Sequence, residues 1–215
     1  MRPYIYLPIN TGEMREMGGV IMRYMSKAHG TVATQVSNPF ESGWRKGAVR
    51  KLGGGCLSNI AADDVLYVVC HGAGEAGSYS IGAARADGQT KAYRMPELAA
   101  NLEAEGLTKA FRNLHMMTCG SGLMNKSDVI GKFSANEHIG RDPSLGAGRT
   151  APTSIARQLC DAMKALGYSG IRVTGYLGDI SVGEPDSVSI DLGGSPYRNA
   201  SDPQFVDLSW CVVAT

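Results

Sequence analysis

The chain has 215 residues, a length that suits one α/β domain over residues 1–215 with a sizeable core. Its 21 Lys and Arg nearly balance its 20 Asp and Glu, which argues against nucleic acid and anionic membranes as partners. Five scattered cysteines argue against a disulfide framework and favour reduced thiols in a cytoplasmic compartment.

The N-terminal segment carries no targeting signal that we can identify. Residues 1–10 contain a short apolar run that Pro3 and Pro8 interrupt. Such a run is too short and too broken for a signal peptide or a membrane span. We expect a cytoplasmic protein, or one exported without a cleaved signal peptide.

The first half of the chain predicts strand, helix, strand and a long loop. Residues 4–7 are rich in β-formers, and residues 14–28 place apolar side chains at helical spacing. Residues 31–36 predict a second strand, before a Gly-rich and basic loop that extends to residue 59. Residues 64–70 are almost continuously apolar, as in a strand buried on both faces of a parallel sheet, and they end at His71.

The second half of the chain continues this alternation. Residues 96–111 predict a crossover helix, and residues 114–118 predict an apolar strand that ends at Cys119. Residues 153–166 form an amphipathic pattern that Gly167 is expected to end. Three further strands are predicted at 171–177, 188–192 and 205–213, the last two of which could pair as an antiparallel edge.

The alternation of strands and helices predicts the fold class. Right-handed crossovers between parallel strands place helices on both faces of the sheet. We therefore predict a three-layer α/β fold with a mostly parallel central sheet of about six strands.

His71 and Cys119 are the candidate catalytic residues, because each directly follows a predicted parallel strand. The carboxyl ends of such strands meet at one edge, where active sites collect. A free thiol with a pKa of about 8.5 is mostly protonated at neutral pH, and an imidazole can accept its proton. Gly72 and Gly120 permit sharp turns, so that the N–H groups of Gly72 and Cys119 could stabilise an oxyanion.

Structural roles are the alternative for the histidines and cysteines of this chain. A buried strand that ends in a single His or Cys is more often structural than catalytic. His115 lies within a predicted strand and should be packed, and Cys70 should point into the core. His138 is the rival base, nineteen residues after Cys119 in a polar loop.

Taken together, the motifs resemble those of one enzyme family. An apolar strand, His71-Gly72, a helix-containing interval, a second apolar strand and Thr118-Cys119-Gly120-Ser121-Gly122 follow one another. This order resembles the caspase-like (clan CD) cysteine peptidases, a group that includes caspases, legumain, separase, gingipains and CHAT relatives. The interval of 48 residues between His71 and Cys119 is close to the roughly 50 of caspases. The resemblance is strong over residues 64–122 and weak over residues 4–177.

The resemblance implies a caspase-like fold, a His71–Cys119 dyad, and neither metal nor organic cofactor. His71 would be the general acid and base, Cys119 the nucleophile, and Gly72 an oxyanion donor. The partner would be a protein or peptide substrate. Activation cleavage in this family often follows the nucleophile, which implies self-processing near Arg141 or Arg149 in the polar stretch 126–150.

The family's substrate pocket maps onto three places in this chain: residues 10–13, Met117, and Gly178 with Asp179. Met117 offers an apolar wall, while Glu13 and Asp179 are the charged residues of these segments, and both are acidic. A cationic side chain would be paired there and an aspartate repelled, which predicts cleavage after Arg or Lys. The alternative is that Asp179 merely caps a turn.

Three functions fit this sequence. The first is a cysteine endopeptidase that acts through an acyl-enzyme on Cys119. The second is a non-catalytic caspase-like module for protein interaction, although such a module has no need of both His71 and Cys119. The third is a thiol acyltransferase or deamidase that uses the same dyad, since only the second nucleophile differs.

Overall fold

A computed structural model gives the fold of most of the chain. It describes residues 1–37, 55–73, 80–84, 88, 90–119, 121, 154–176, 179–183, 187–191 and 211–214. Within these ranges the helices are α1 (Gly12–His29), α2 (Met95–Ala104) and α3 (Ile155–Ala165). The strands are β1 (Pro3–Leu7), β2 (Thr34–Ser37), β3 (Val65–Val69), β4 (His71–Ala73), β5 (Ser80–Ala84), β6 (Thr90–Arg94), β7 (Asn113–Met117), β8 (Arg172–Tyr176), β9 (Asp179–Gly183), β10 (Ser187–Asp191) and β11 (Cys211–Ala214).

The central sheet has six strands in the order β11-β8-β7-β3-β1-β2. The neighbours from β8 to β2 are all parallel, and β11 is antiparallel to β8 at the edge. The predicted α/β class, with a mostly parallel sheet of about six strands, is confirmed.

The helices lie on both faces of this sheet, as predicted. The chain moves from β1 to β2 in one direction and from β3 through β7 to β8 in the other, so right-handed crossovers place α1 opposite α2 and α3. Helix α1 packs on β1 and β2, and α2 packs against α3. A Cβ atom on Gly18 of α1 would lie 3.0 Å from Leu7 Cδ2 and 3.1 Å from Gln35 Oε1, so glycine permits the close approach.

The middle strands are buried on both faces, which explains their continuous apolar sequence. All five residues of β3 are buried. One row of the sheet brings Leu66 beside Leu114 and Leu114 beside Val173, and none of these three side chains is exposed to solvent. Burial of each such side chain contributes roughly 1.5–3 kcal/mol to folding.

Local capping residues set the helix boundaries. Helix α1 begins after Thr11, whose hydroxyl accepts a hydrogen bond from the Met14 N–H at 3.2 Å, and it ends at Gly30 with φ +61°. Helix α3 begins after Ser154, which caps its first turn in the same way. It ends just before Gly167, whose φ is +93°, close to the predicted boundary.

Two small antiparallel sheets were not predicted from the sequence. One contains β4, β5 and β6, and the other contains β9 and β10. The predicted strand 188–192 corresponds to β10, and only the end of the predicted strand 205–213 falls within β11, since residues 205–210 lie outside the described residues. β10 and β11 do not pair with each other. β10 pairs with β9, and β11 pairs with β8.

Candidate active site at the carboxyl edge of the sheet

The candidate site lies where four neighbouring parallel strands end. β8, β7, β3 and β1 are adjacent, so the segments that follow them share one edge of the sheet. His71, the first residue of β4, lies two positions after the end of β3, and Cys119 lies two positions after the end of β7. Glu13 lies in the first turn of α1, which follows β1. The sheet order therefore brings three distant parts of the chain to one place.

The His71 imidazole is bonded to a carboxylate. His71 Nε2 donates a hydrogen bond to Glu13 Oε1 at 2.9 Å, and the two side chains are 40% and 57% exposed. With Nε2–H committed to Glu13, Nδ1 is the ring nitrogen that can accept a proton. The pair therefore has the arrangement of a base and the group that orients it.

Gly72 allows the backbone after His71 to approach Cys119 closely. A Cβ atom on Gly72 would lie 2.6 Å from the carbonyl oxygen of Cys119 and 3.6 Å from Thr118 Cγ2. Since real Cβ atoms do not approach a backbone oxygen so closely, only glycine fits here. This contact brings the first two residues of β4 beside the cysteine. The assignment of the Gly72 and Cys119 N–H groups as oxyanion donors stays a prediction.

The Cys119 thiol is partly buried and lies against the backbone of β9. The Ile180 N–H donates a hydrogen bond to Cys119 Sγ at 3.3 Å, and Sγ lies 3.7 Å from the Ile180 carbonyl oxygen. The sulfur is thus held by a main-chain group that sequence reasoning missed. No local pattern could reveal it, because the two residues are 61 positions apart.

Ser121 holds the turn that carries Cys119. Its buried hydroxyl donates to Met116 O at 2.8 Å and accepts from Tyr176 N–H at 2.9 Å. Its main-chain carbonyl accepts a hydrogen bond from Ala156 N–H at 3.0 Å, in the first turn of α3. This one residue therefore connects β7, β8 and α3 at the turn that carries Cys119.

The other described thiols are less suited to nucleophilic chemistry than Cys119. Burial raises the pKa of Cys70 to about 12, and its Sγ donates to the Gly82 carbonyl at 3.0 Å. Burial, followed by the Glu105 carboxylate, raises the pKa of Cys56 to about 12. Burial also raises the pKa of Cys160, which is fully buried in α3. The prediction that Cys70 belongs to the core is confirmed.

His115 is a packed side chain, as predicted. A hydrogen bond of 3.0 Å joins its Nδ1 to the Tyr176 hydroxyl, and its ring centroid lies 4.9 Å from that of Tyr67. Burial lowers the pKa of His115 to about 4, and the charges of His29 and Arg172 contribute in the same direction. The imidazole is therefore neutral at physiological pH, and it packs between Tyr67 and Tyr176 in the sheet.

The three segments expected to form a substrate pocket have different environments. The Glu13 carboxylate contacts His71, a role that the sequence did not suggest. Met117 is buried at the end of β7, and Asp179 is the first residue of β9. Gly178 lies outside the described residues, as do the rival base His138 and the stretch 126–150 with its two candidate cleavage positions.

Comparisons with known proteins do not assign this chain to a family. No family model matches the chain, and no curated protein matches it significantly. Among the described residues, no three His, Cys, Asp or Glu side chains are grouped so that they could hold a metal ion. Within the same ranges, no helix has both the length and the apolar character needed to cross a membrane.

Proposed function

We propose that the chain is a cysteine peptidase of the caspase-like kind, with Cys119 as nucleophile and His71 as general acid and base. The observation that carries the proposal is the meeting of His71-Gly72 and Cys119 at the ends of the adjacent parallel strands β3 and β7. The bond from His71 to Glu13 supports it, because an oriented imidazole leaves one nitrogen to accept the thiol proton.

The proposed reaction proceeds through an acyl-enzyme. His71 takes the proton of Cys119, and the thiolate attacks the peptide carbonyl to form a tetrahedral intermediate. His71 then returns the proton to the leaving amine as the C–N bond breaks. Water, deprotonated by His71, cleaves the thioester and restores the thiol. Glu13 stabilises the imidazolium that forms in both steps.

A peptidyl electrophile tests the proposal directly. We expect an acyloxymethyl ketone peptide to label Cys119, and we expect His71→Ala to reduce the rate of labelling strongly. Cys56→Ala is the matched control, because it removes a thiol distant from the dyad. Peptide mapping by mass spectrometry identifies the labelled residue. Absence of labelling on Cys119, or equal labelling in His71→Ala, would overturn the proposal.

The proposed substrate preference is for Arg or Lys before the cleaved bond. With Glu13 engaged by His71, Asp179 at the start of β9 is the remaining acidic residue of the three pocket segments. Fluorogenic peptides that differ only in Arg, Lys or Asp at this position test the preference. Faster cleavage of the Asp peptide, or an unchanged Arg preference in Asp179→Ala, contradicts it.

Self-processing near Arg141 or Arg149 is part of the same proposal. Incubation of the wild-type protein beside Cys119→Ala, followed by intact-mass measurement, tests it. Identical masses after incubation would remove this part. The free thiols of Cys56, Cys70, Cys119 and Cys160 suit the proposed cytoplasmic location.

A further inference from the structure

The contact between Cys119 and Ile180 is a second feature of the site, separate from the His71–Cys119 pair. Ile180 is the second residue of β9, and its N–H donates to Cys119 Sγ at 3.3 Å. Its carbonyl oxygen lies farther from the sulfur, at 3.7 Å. The shorter contact therefore involves a hydrogen-bond donor directed at the sulfur.

The position of Ile180 in its hairpin explains why this N–H is available to the sulfur. Ile180 is opposite Ile190 in the antiparallel pair of β9 and β10. In an antiparallel pair, the N–H and C=O groups of each residue point either both toward the partner strand or both away from it, and the two cases alternate along the strand. Since both groups of Ile180 face Cys119, they point away from β10. By the same alternation, Val182 also points away from β10, and Ser181 points toward it.

The two contacts respond differently to ionisation of the thiol. A neutral thiol can donate weakly to the Ile180 carbonyl and accept from the N–H. A thiolate can only accept, and a hydrogen bond to an ionised group is about twice as strong as one between neutral groups. The N–H contact therefore strengthens when Cys119 loses its proton, and it favours the thiolate.

We propose that the main-chain N–H of Ile180 is a positioning group that stabilises the thiolate of Cys119 and holds it at the edge of β9. The inference rests on the proposed function only in taking Cys119 as the nucleophile. It assigns to the β9 backbone part of the work that activates the thiol, beside the imidazole of His71.

Removal of this single N–H tests the inference. Ile180→Pro deletes the donor and breaks no hydrogen bond to β10, because the N–H points away from that strand. Val182→Pro is the matched control, since it deletes an equivalent outward N–H two residues farther from Cys119. The measurement is the rate of Cys119 alkylation by iodoacetamide between pH 5 and 10, with Cys56, Cys70 and Cys160 as internal references.

We expect the midpoint of the pH profile to rise by about 1 unit in Ile180→Pro, the value expected for one hydrogen bond to a charged group. Alkylation at pH 7 should fall about tenfold, since only the thiolate reacts. The plateau rate at high pH should equal or exceed that of wild type, because a more basic thiolate is the better nucleophile. A merely structural role of Ile180 would not produce that pattern.

His71 and Glu13 are titratable groups among the described residues at this edge, Asp179 begins β9, and both variants retain all three. If Ile180→Pro does not fold, an ester in place of the Ile180 amide removes the same N–H and keeps the side chain. The amide proton of Ile180 gives an independent signal. In wild type its NMR shift should titrate with the alkylation midpoint, and Cys119→Ala should abolish that titration.

Identical pH profiles of Cys119 alkylation in wild type, Ile180→Pro and Val182→Pro would overturn the inference. So would an Ile180 amide shift whose pH titration is the same in wild type and in Cys119→Ala. Failure of the proposed function is a different result, because alkylation requires no peptide cleavage. If peptidyl electrophiles do not label Cys119 but the alkylation midpoint still rises in Ile180→Pro, the peptidase proposal fails and the role of Ile180 stands.

Discussion

Glu13 is bonded to the imidazole of His71 at the candidate site. Its carboxylate accepts from His71 Nε2, which selects the ring tautomer and fixes the orientation of the ring. Both side chains are substantially exposed, so the pair contributes little to stability. The effect of the pair is geometric, since it leaves Nδ1 as the ring nitrogen that can accept a proton.

Glu13→Gln tests this role. The amide is nearly isosteric and keeps a hydrogen-bonding oxygen, but it cannot stabilise an imidazolium. We expect kcat to fall roughly 10- to 100-fold, the loss typical of a disturbed orienting group, with little change in KM or stability. Peptide hydrolysis and thermal unfolding measure both. Glu16→Gln, which removes the same charge from an exposed position on the same helix, should retain wild-type kcat. Equal losses in the two variants would contradict the role.

At this scale the sequence indicates candidate residues for chemistry but does not indicate their contacts. His71 and Cys119 could be chosen because each directly follows an apolar run, which is a local pattern. The partners Glu13 and Ile180 could not be, since they are 58 and 61 positions away from the residues they contact. Such contacts depend on the order of strands in the sheet.

The turn after β7 is an element whose stability depends on one hydroxyl. Ser121 serves Met116 O and Tyr176 N–H together, and both contacts are buried. The neighbouring Thr118 hydroxyl is also fully buried, but it has no hydrogen-bond partner among the described residues. The two hydroxyls therefore differ in their energetic effect although they lie three residues apart.

We expect Ser121→Ala to lower the free energy of unfolding by about 2 kcal/mol, because it leaves the buried Tyr176 N–H without an acceptor. Thr118→Val keeps the side-chain shape and removes an unpaired hydroxyl, so it should leave stability unchanged or raise it slightly. Urea denaturation measures both free energies. A larger loss in Thr118→Val than in Ser121→Ala would show that the assignment of the two hydroxyls is wrong.

Helix α1 offers a second matched pair in its adjacent glycines. Gly19→Ala should stabilise the protein by about 0.5–1 kcal/mol, because alanine is the better helix former and only the Arg23 side chain is near. Gly18→Ala should destabilise it by about 1 kcal/mol, because the new methyl group presses on the fully buried Leu7. Thermal unfolding of the two variants measures the difference. Equal stabilisation of the Gly18→Ala and Gly19→Ala variants would show that Leu7 of β1 can move to accommodate the added methyl group.

The sequence predicts the long elements well and the short ones poorly. The strands of the central sheet that carry continuous apolar runs, and helices α1 and α3, fall close to their predicted positions. Helix α2 begins where predicted but ends at Ala104, seven residues before the predicted end at residue 111. β4, β5 and β6 are short and rich in Gly, Ala and polar residues, so they lack a clear alternation. Their stability comes from pairing with one another, which no single segment reveals.

A row of aromatic and imidazole side chains crosses the sheet and couples folding to pH. A hydrogen bond of 2.8 Å joins His29 Nε2 to the Tyr67 hydroxyl, Tyr67 packs on His115, and His115 bonds to Tyr176. Burial lowers the pKa of both imidazoles. Protonation of either histidine therefore destabilises the folded protein.

This coupling predicts acid sensitivity. The pKa of His115 is about 4 in the folded protein and 6.5 ordinarily, so the unfolded chain binds the extra proton as the pH falls. Stability should decline between pH 6.5 and 4, by up to about 3 kcal/mol from this group. His115→Asn can keep a bond to Tyr176 but does not titrate, so its stability should decline less steeply. Urea denaturation across this range measures the slopes, and parallel slopes would exclude His115 as the cause.

The strand order also determines when the candidate site can exist. Its parts come from residues 13, 71, 119 and 180, and each pairwise contact closes a loop of about fifty residues or more. Contacts of such long range form late and slowly in folding. A chain still emerging from the ribosome can build β1, α1 and β3 and yet hold no complete site. The Cys119 sulfur can meet its backbone partner only after β9 has been synthesised. By then every strand of the central sheet except β11 has been made, so the site is among the last parts of the fold to form.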